Sequence, residues 1–202
     1  MKNTAFPLRR WEAALLIALC VSMLAGMFVS RQQRQLAEGL IRLHVIAESD
    51  SQKDQETKLR VRDAVLQTLT PEIEAAPSPE AAAETIRALL PELEAVSAAV
   101  GGCTAAASLD WEAYPTRQYG DFALPAGEYL SLRIRLGEAK GHNWWCVVYP
   151  PLCAAATGGA EAVSALLDGR SAALITGDGT GCVLKFRCME LWAALRARFT
   201  GK

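Results

Sequence analysis

Arg62 is the residue whose placement asks most of its surroundings. At about 100° per residue, a helix over residues 51–69 gathers Leu59, Val61, Val65, Leu66 and Leu69 on one arc, with Arg62 near its middle. An unpaired guanidinium in apolar surroundings is very costly. Three arrangements relieve that cost. Arg62 pairs with Asp50, or failing that Glu48, at the end of the preceding strand; it runs along the helix to solvent; or it meets a partner directly.

His44 and Asp50 are of the types that do general acid–base work, and Cys146 has the chemistry of a nucleophile with His142 four positions away. In one extended strand His142 and Cys146 face the same side. At about 3.3 Å per residue they stand about 13 Å apart, whereas a hydrogen bond needs about 3 Å. His142 therefore cannot activate Cys146 unless the chain bends between them. A disulfide is the better account of Cys146 and Cys153, which bracket Val147-Val-Tyr-Pro-Pro-Leu152, where two prolines end the strand and turn the chain. So short a loop gains about 2–3 kcal/mol in the chain-entropy model, less any strain; the alternative is a buried thiol. Cys182 and Cys188 are a further candidate pair, although six apart in a helix they would fall on different faces; Cys20 lies in an apolar segment, and Cys103 has no evident partner. Trp144 and Trp145 point to opposite faces of a strand. One anchors the core, and the other is left for contact or for a second small core.

Composition excludes several classes. The 202 residues carry a formal net charge of −1, and Lys and Arg are spread thinly, so no basic stripe suits nucleic acid. Two histidines and six cysteines without paired C-x-x-C sets argue against structural zinc. No metal, cofactor or small-molecule substrate is expected.

These residues are positioned by a leader and one domain. Lys2, Arg9 and Arg10 precede an apolar stretch over residues 13–29, in which Leu15, Leu16, Ile17, Leu19, Val21, Leu24, Phe28 and Val29 favour membrane insertion. Together they contribute about 2.5–5 kcal/mol, more than Glu12 costs at the segment's edge. Neither Ala25 nor Ser30 sits in a good A-x-A cleavage pattern. The reading favoured is an uncleaved signal anchor with a cytoplasmic N-terminus, over a cleaved signal peptide or a buried helix. Residues 1–30 form this segment, 31–40 a short juxtamembrane helix or linker, and 41–200 a single domain.

Residues 41–47 alternate as a strand with one face on a core. Ser51 with Asp54 caps a helix that should stop near Leu69, before Pro71. A second helix starts at Ser78-Pro79 and ends before Gly101-Gly102, with Pro91 a point of kinking or division. A weak strand over 103–109 follows. Strands over 128–136 and 143–149, joined by a glycine-flanked loop, read as a β-hairpin. Residues 154–181 are rich in alanine and glycine with a short helix near 161–167, and 185–199 read as a helix carrying Phe186, Met189, Trp192 and Phe199. The order predicts an α+β fold, a mainly antiparallel sheet with helices on one face.

The run Ile41-Arg-Leu-His-Val-Ile-Ala-Glu-Ser-Asp50, with Asp54-Gln55 and Leu59-Arg-Val-Arg-Asp-Ala-Val-Leu66, resembles the stage II sporulation protein R family of endospore-forming bacteria. So do Pro115-Thr-Arg-Gln-Tyr119, Leu124-Pro-Ala-Gly-Glu-Tyr129 and Gly141-His-Asn-Trp-Trp-Cys146 through Pro150-Pro-Leu-Cys153. The likeness covers roughly residues 40–153; Glu48 stands where asparagine is expected, and 154–181 carry no family pattern. The resemblance implies a non-catalytic signal, made in the forespore and exported to the space between the two membranes. There it triggers a membrane-embedded aspartic-type protease that processes the precursor of sigma-E. It also makes His44, Asp50, Arg62, Asp63, Asn143, Trp144 and Trp145 candidates for activating contact or for the scaffold that presents it. Two rival classes remain: an extracytoplasmic hydrolase using His44, Asp50 and Arg62 on cell-wall or peptide substrate, and a structural protein of the septum.

Overall fold

Strand β1 (Ile41–Ile46) begins the domain, and its alternation has the expected consequence: Leu43 and Val45 enter the main core. The computed structural model describes residues 9–119 and 122–152. Ahead of β1 runs one unbroken helix, α1 (Arg10–Glu38), long and apolar enough to cross a membrane. Its large apolar residues from Leu15 to Phe28 are exposed, whereas Leu36 and Ala37 in its last turn, and Leu40 just beyond, are buried.

Ser51 caps α2 (Gln52–Ile73), its hydroxyl accepting from the Asp54 amide at 3.1 Å. The helix does not stop before Pro71, as the sequence rule predicts, but continues through it. In a last turn the missing proline N–H costs a single helical bond, and the Glu74 amide still donates to Thr70 at 2.9 Å. Helix α3 (Pro79–Gly101) starts with Pro79 behind the Ser78 cap and ends on Gly102, whose φ of 66° is left-handed; Pro91 does not divide it. Val61, Val65, Leu69 and Ile73 of α2, with Ala82, Ile86 and Leu93 of α3, close over one face of the sheet. Each fully buried side chain of the Val, Leu and Ile kind contributes about 1.5–3 kcal/mol.

The chain then forms β2 (Ala105–Tyr114), β3 (Arg117–Tyr119), β4 (Phe122–Leu124), β5 (Gly127–Leu136) and β6 (Asn143–Tyr149). Strands β3 and β4 make a separate ribbon, and the main sheet has the order β2-β5-β1-β6. Strand β1 is parallel to β5 and antiparallel to β6, and β2 is antiparallel to β5. The fold is α+β with a mainly antiparallel sheet and helices on one face.

The expected hairpin of the last two strands is not formed, because β1 lies between them. The connection over residues 137–142 therefore arches across the end of β1. Its Lys140 amide donates to Glu48 at 3.1 Å and its Gly141 amide to Ala47 at 2.9 Å. The close approach explains the glycine: a Cβ on Gly141 would lie 2.2 Å from the Ser49 carbonyl oxygen. The weak strand expected at 103–109 is the beginning of β2, which runs on to Tyr114. The helices expected at 161–167 and 185–199 lie outside the described residues.

Gly141→Ala is expected to lower stability by about 1–3 kcal/mol, since the new methyl meets backbone rather than a yielding side chain. Gly102→Ala should cost less, because nothing lies within 4 Å and only the left-handed φ opposes it. Urea midpoints of the two variants check the ranking; equal losses would remove the close-approach argument.

Candidate functional site

The strand period places the candidate residues in three environments. On the sheet face opposite α2 and α3, which we call the outer face, stand Arg42 and His44 of β1. Tyr129, Ser131 and Arg133 of β5, Glu112 and Tyr114 of β2, and Trp145 and Val147 of β6 share it. Part of this face is roofed by the β3–β4 ribbon and the last turn of α1, which with Tyr114, Tyr129 and Val147 form a second small core.

Arg42 lies under that roof, fully buried. Its guanidinium carbon sits 3.8 Å from the centre of the Tyr114 ring and 4.9 Å from that of Tyr129, and it donates to the Tyr119 hydroxyl. Burial pushes all three phenols above their ordinary value, Arg42 offsetting this only in part. The phenols stay protonated and none supplies a negative charge. Nε and Nη1 of Arg42 have no hydrogen-bond partner among the described residues. Cation–π contact with several rings is therefore what compensates its desolvation.

His44 is bonded next door. Its Nδ1 lies 3.0 Å from Glu112, which also takes Arg133 at 3.2 Å, while the imidazole leans on Trp145 with ring centres 5.5 Å apart. Burial works against the Glu112 charge, but His44, Ser131 and Arg133 outweigh it and hold the carboxyl below the usual range. Trp145 is in turn covered by Arg117, 4.0 Å above its ring.

Asp50 belongs to a second environment, the corner where β1, α2 and the 137–142 connection meet. It accepts from the His142 amide at 2.6 Å and also contacts the His142 ring. Lys58 donates to the His142 carbonyl at 2.9 Å and to Gln55 at 2.6 Å, and Gln55 donates to the Ser49 carbonyl at 2.8 Å. Burial lowers the Lys58 ammonium below its ordinary value, with Asp50 opposing. Hydrogen bonds from Ser49 and Ser51 hold Asp54 low as well.

Arg62 makes the third. Neither Asp50 nor Glu48 is its partner. It bonds to Asp63, its neighbour on the same helix, at 2.7 Å, and lies over the Trp144 ring at 4.5 Å. The apolar arc tolerates it because Trp144, projecting from the helix-covered face of β6, supplies a π surface. Trp144 and Trp145 do point to opposite faces, and both are half-buried, while Asn143 is exposed. Cys146 is buried on the helix-covered face. Cys153 lies outside the described residues, and so does the expected disulfide. His142 precedes β6 and is engaged by Asp50.

His44, Asp50 and Arg62 are thus not brought together: they occupy the outer face, the corner and the helix layer. Arg42, Glu112, Arg133 and the three tyrosines were not singled out from sequence. Their signal was the parity of Tyr129, Ser131 and Arg133 with one another, and of Arg42 with His44. Among the described residues no group of three metal-ligating side chains occurs.

Residues 37–158 match the family model for stage II sporulation protein R. The chain belongs to the stage II sporulation protein R family. A curated relative, stage II sporulation protein R of Bacillus subtilis strain 168, is 42% identical over 118 residues, 56% of this chain. The match spans about half of that relative, 53% of its length. No solved structure matches. The family region starts in the last turn of α1 and takes in every described strand. It therefore includes the anchoring residues Ala37 and Leu40 but not the exposed apolar part of the helix, which fits a signal or anchor segment.

Because the folded state holds the Glu112 carboxyl below its unfolded value of about 4.3, its contribution to stability is present above that pH. The contribution is lost as pH falls through the lower, folded value. Glu112→Gln should flatten the fall of the urea midpoint below about pH 5. A wild-type slope no steeper than the variant's would mean that the His44–Glu112–Arg133 cluster does not form in solution.

Proposed function

We propose that the chain is an exported sporulation signal that activates a membrane-embedded aspartic-type protease by contact. The protease then processes the sigma-E precursor. The domain stands between the forespore and mother-cell membranes, held to the forespore membrane by α1. It contributes binding and no chemistry. Activation by touch requires that the domain bind the protease's active arrangement better than its inactive one.

The observation that carries this reading is the junction between leader and domain in a chain of this family. The helix that exposes Leu15, Ile17, Leu24 and Phe28 continues without a break into Leu36 and Ala37, which are buried in the second core. A tether packed in this way presents the folded body in a defined attitude instead of on a loose linker. The hydrolase alternative needs His44, Asp50 and Arg62 in one site, and each has a different partner in a different layer. The septal alternative predicts that deletion leaves precursor cleavage intact.

Co-expression of the full chain with the protease and the sigma-E precursor in a non-sporulating host tests the reading. Precursor cleavage is expected only when all three are present. Cleavage that proceeds equally without this chain would remove the activator role, and cleavage by this chain without the protease would make it an enzyme. Trp145→Ala should lose protease binding and activation together.

A further inference from the structure

The outer face holds more positive charge than the described residues neutralise. Arg42, Arg133 and Arg135 project from β1 and β5, and Arg117 joins them from the ribbon over Trp145. Among the described strand residues of this face, two carboxylates stand beside these four guanidiniums, Asp110 and Glu112 of β2. Glu112 is already divided between His44 and Arg133. Among the described residues Arg42 pairs with no carboxylate; its hydrogen-bond partner is the Tyr119 hydroxyl, beside the tyrosine rings. Arg117 and Arg135 are exposed and, among the described residues, form no ion pair. The excess is concentrated here although the whole chain has a formal net charge of −1.

Two features turn this charge into a recognition surface. Arg42 lies beneath tyrosine rings, away from counterions, so its field is screened less than that of an exposed arginine. At the rim, Arg117 stacked on Trp145 pairs the two residue types most often found as interface anchors. The interleaved carboxylates then choose among anionic partners. A uniformly anionic surface would meet Asp110 and Glu112 along with the arginines. A protein segment of defined sequence can set its carboxylates on the arginines and avoid those two positions.

We propose that the outer face docks an acidic segment of the protease whose activation is proposed above. Carboxylates of that segment pair with Arg117 and Arg135, and an apolar side chain rests beside Trp145. The inference depends on that function and names the chemistry of its contact.

The test uses full-length protein co-expressed with the protease, solubilised in detergent and captured through a tag on this chain. Wild type is compared with the double variant Arg117→Glu/Arg135→Glu, with Arg117→Gln/Arg135→Gln, and with Arg87→Glu on α3 as a control. Thermal midpoints establish that each variant is folded. Retained protease should fall about tenfold for the double reversal and less for the glutamine pair. The control should bind as wild type does, and raised salt should weaken wild-type capture. Phosphatidylglycerol vesicles are offered in parallel.

Equal capture of protease by wild type and the folded double reversal overturns the proposal. So does arginine-dependent binding to the vesicles without arginine-dependent capture of the protease. Wild type that neither captures the protease nor elicits cleavage removes the proposed function and this inference together. Wild type that elicits cleavage as well as the double reversal does removes this inference alone.

Discussion

Strand β1 carries Leu43 and Val45 on one face and Arg42 and His44 on the other, and none of the four is more than 6% exposed. Both faces of the strand must therefore be covered, and they need unlike covers. The apolar face takes α2 and α3, whose side chains need only fit and exclude water. The polar face needs groups that compensate a guanidinium and an imidazole removed from solvent. Tyrosine rings do this for Arg42, and Glu112 does it for His44. The β3–β4 ribbon and the last turn of α1 complete that second cover, so the leader is joined to the domain by the same requirement.

Placing β1 between β5 and β6 sets the second constraint. The connection from β5 to β6 must pass the end of β1 at close range, and Gly141 permits the passage. Asp50, Gln55 and Lys58 then bind the connection to the start of α2 through His142 and Ser49. The stretches at 41–50, 54–55 and 141–146, far apart in sequence, converge at this corner. Each supplies one side of a single joint.

Much of this was legible where the governing interactions are local. The alternation of β1, the Ser51 and Ser78 caps, Pro79 in the first turn, Gly102 at the end of α3 and the opposite facing of the two tryptophans all follow from rules spanning a few residues. The misreadings share the opposite property. Adjacent strands with a short glycine-flanked loop suggest a hairpin, and nothing within 128–149 announces that residues 41–46 will insert between them. The sequence suggests Asp50, at the end of the preceding strand, as the partner of Arg62. Asp50 is instead taken by His142, 92 residues away. The Arg42 cage draws on β1, β2, β3 and β5, and a strand read in isolation shows Arg42 as an ordinary outward residue.

The geometry of the tether bears on how such a domain could act. From Phe28, at the end of the exposed apolar stretch, to the buried Leu36 is eight residues of helix, about 12 Å at 1.5 Å per residue. No flexible joint intervenes, and Leu36 packs in the same small core that roofs Arg42. If α1 anchors the chain, as proposed, this short stiff helix would keep the outer face near the membrane surface. A body so held would lose part of its orientational freedom, which would raise the effective concentration of one face for a partner at matching height. It would equally lower it for partners elsewhere. The buried arginine, the roof above it and the short stiff helix are then parts of one arrangement, in which the residues that hold the domain to its leader also decide which of its surfaces is presented.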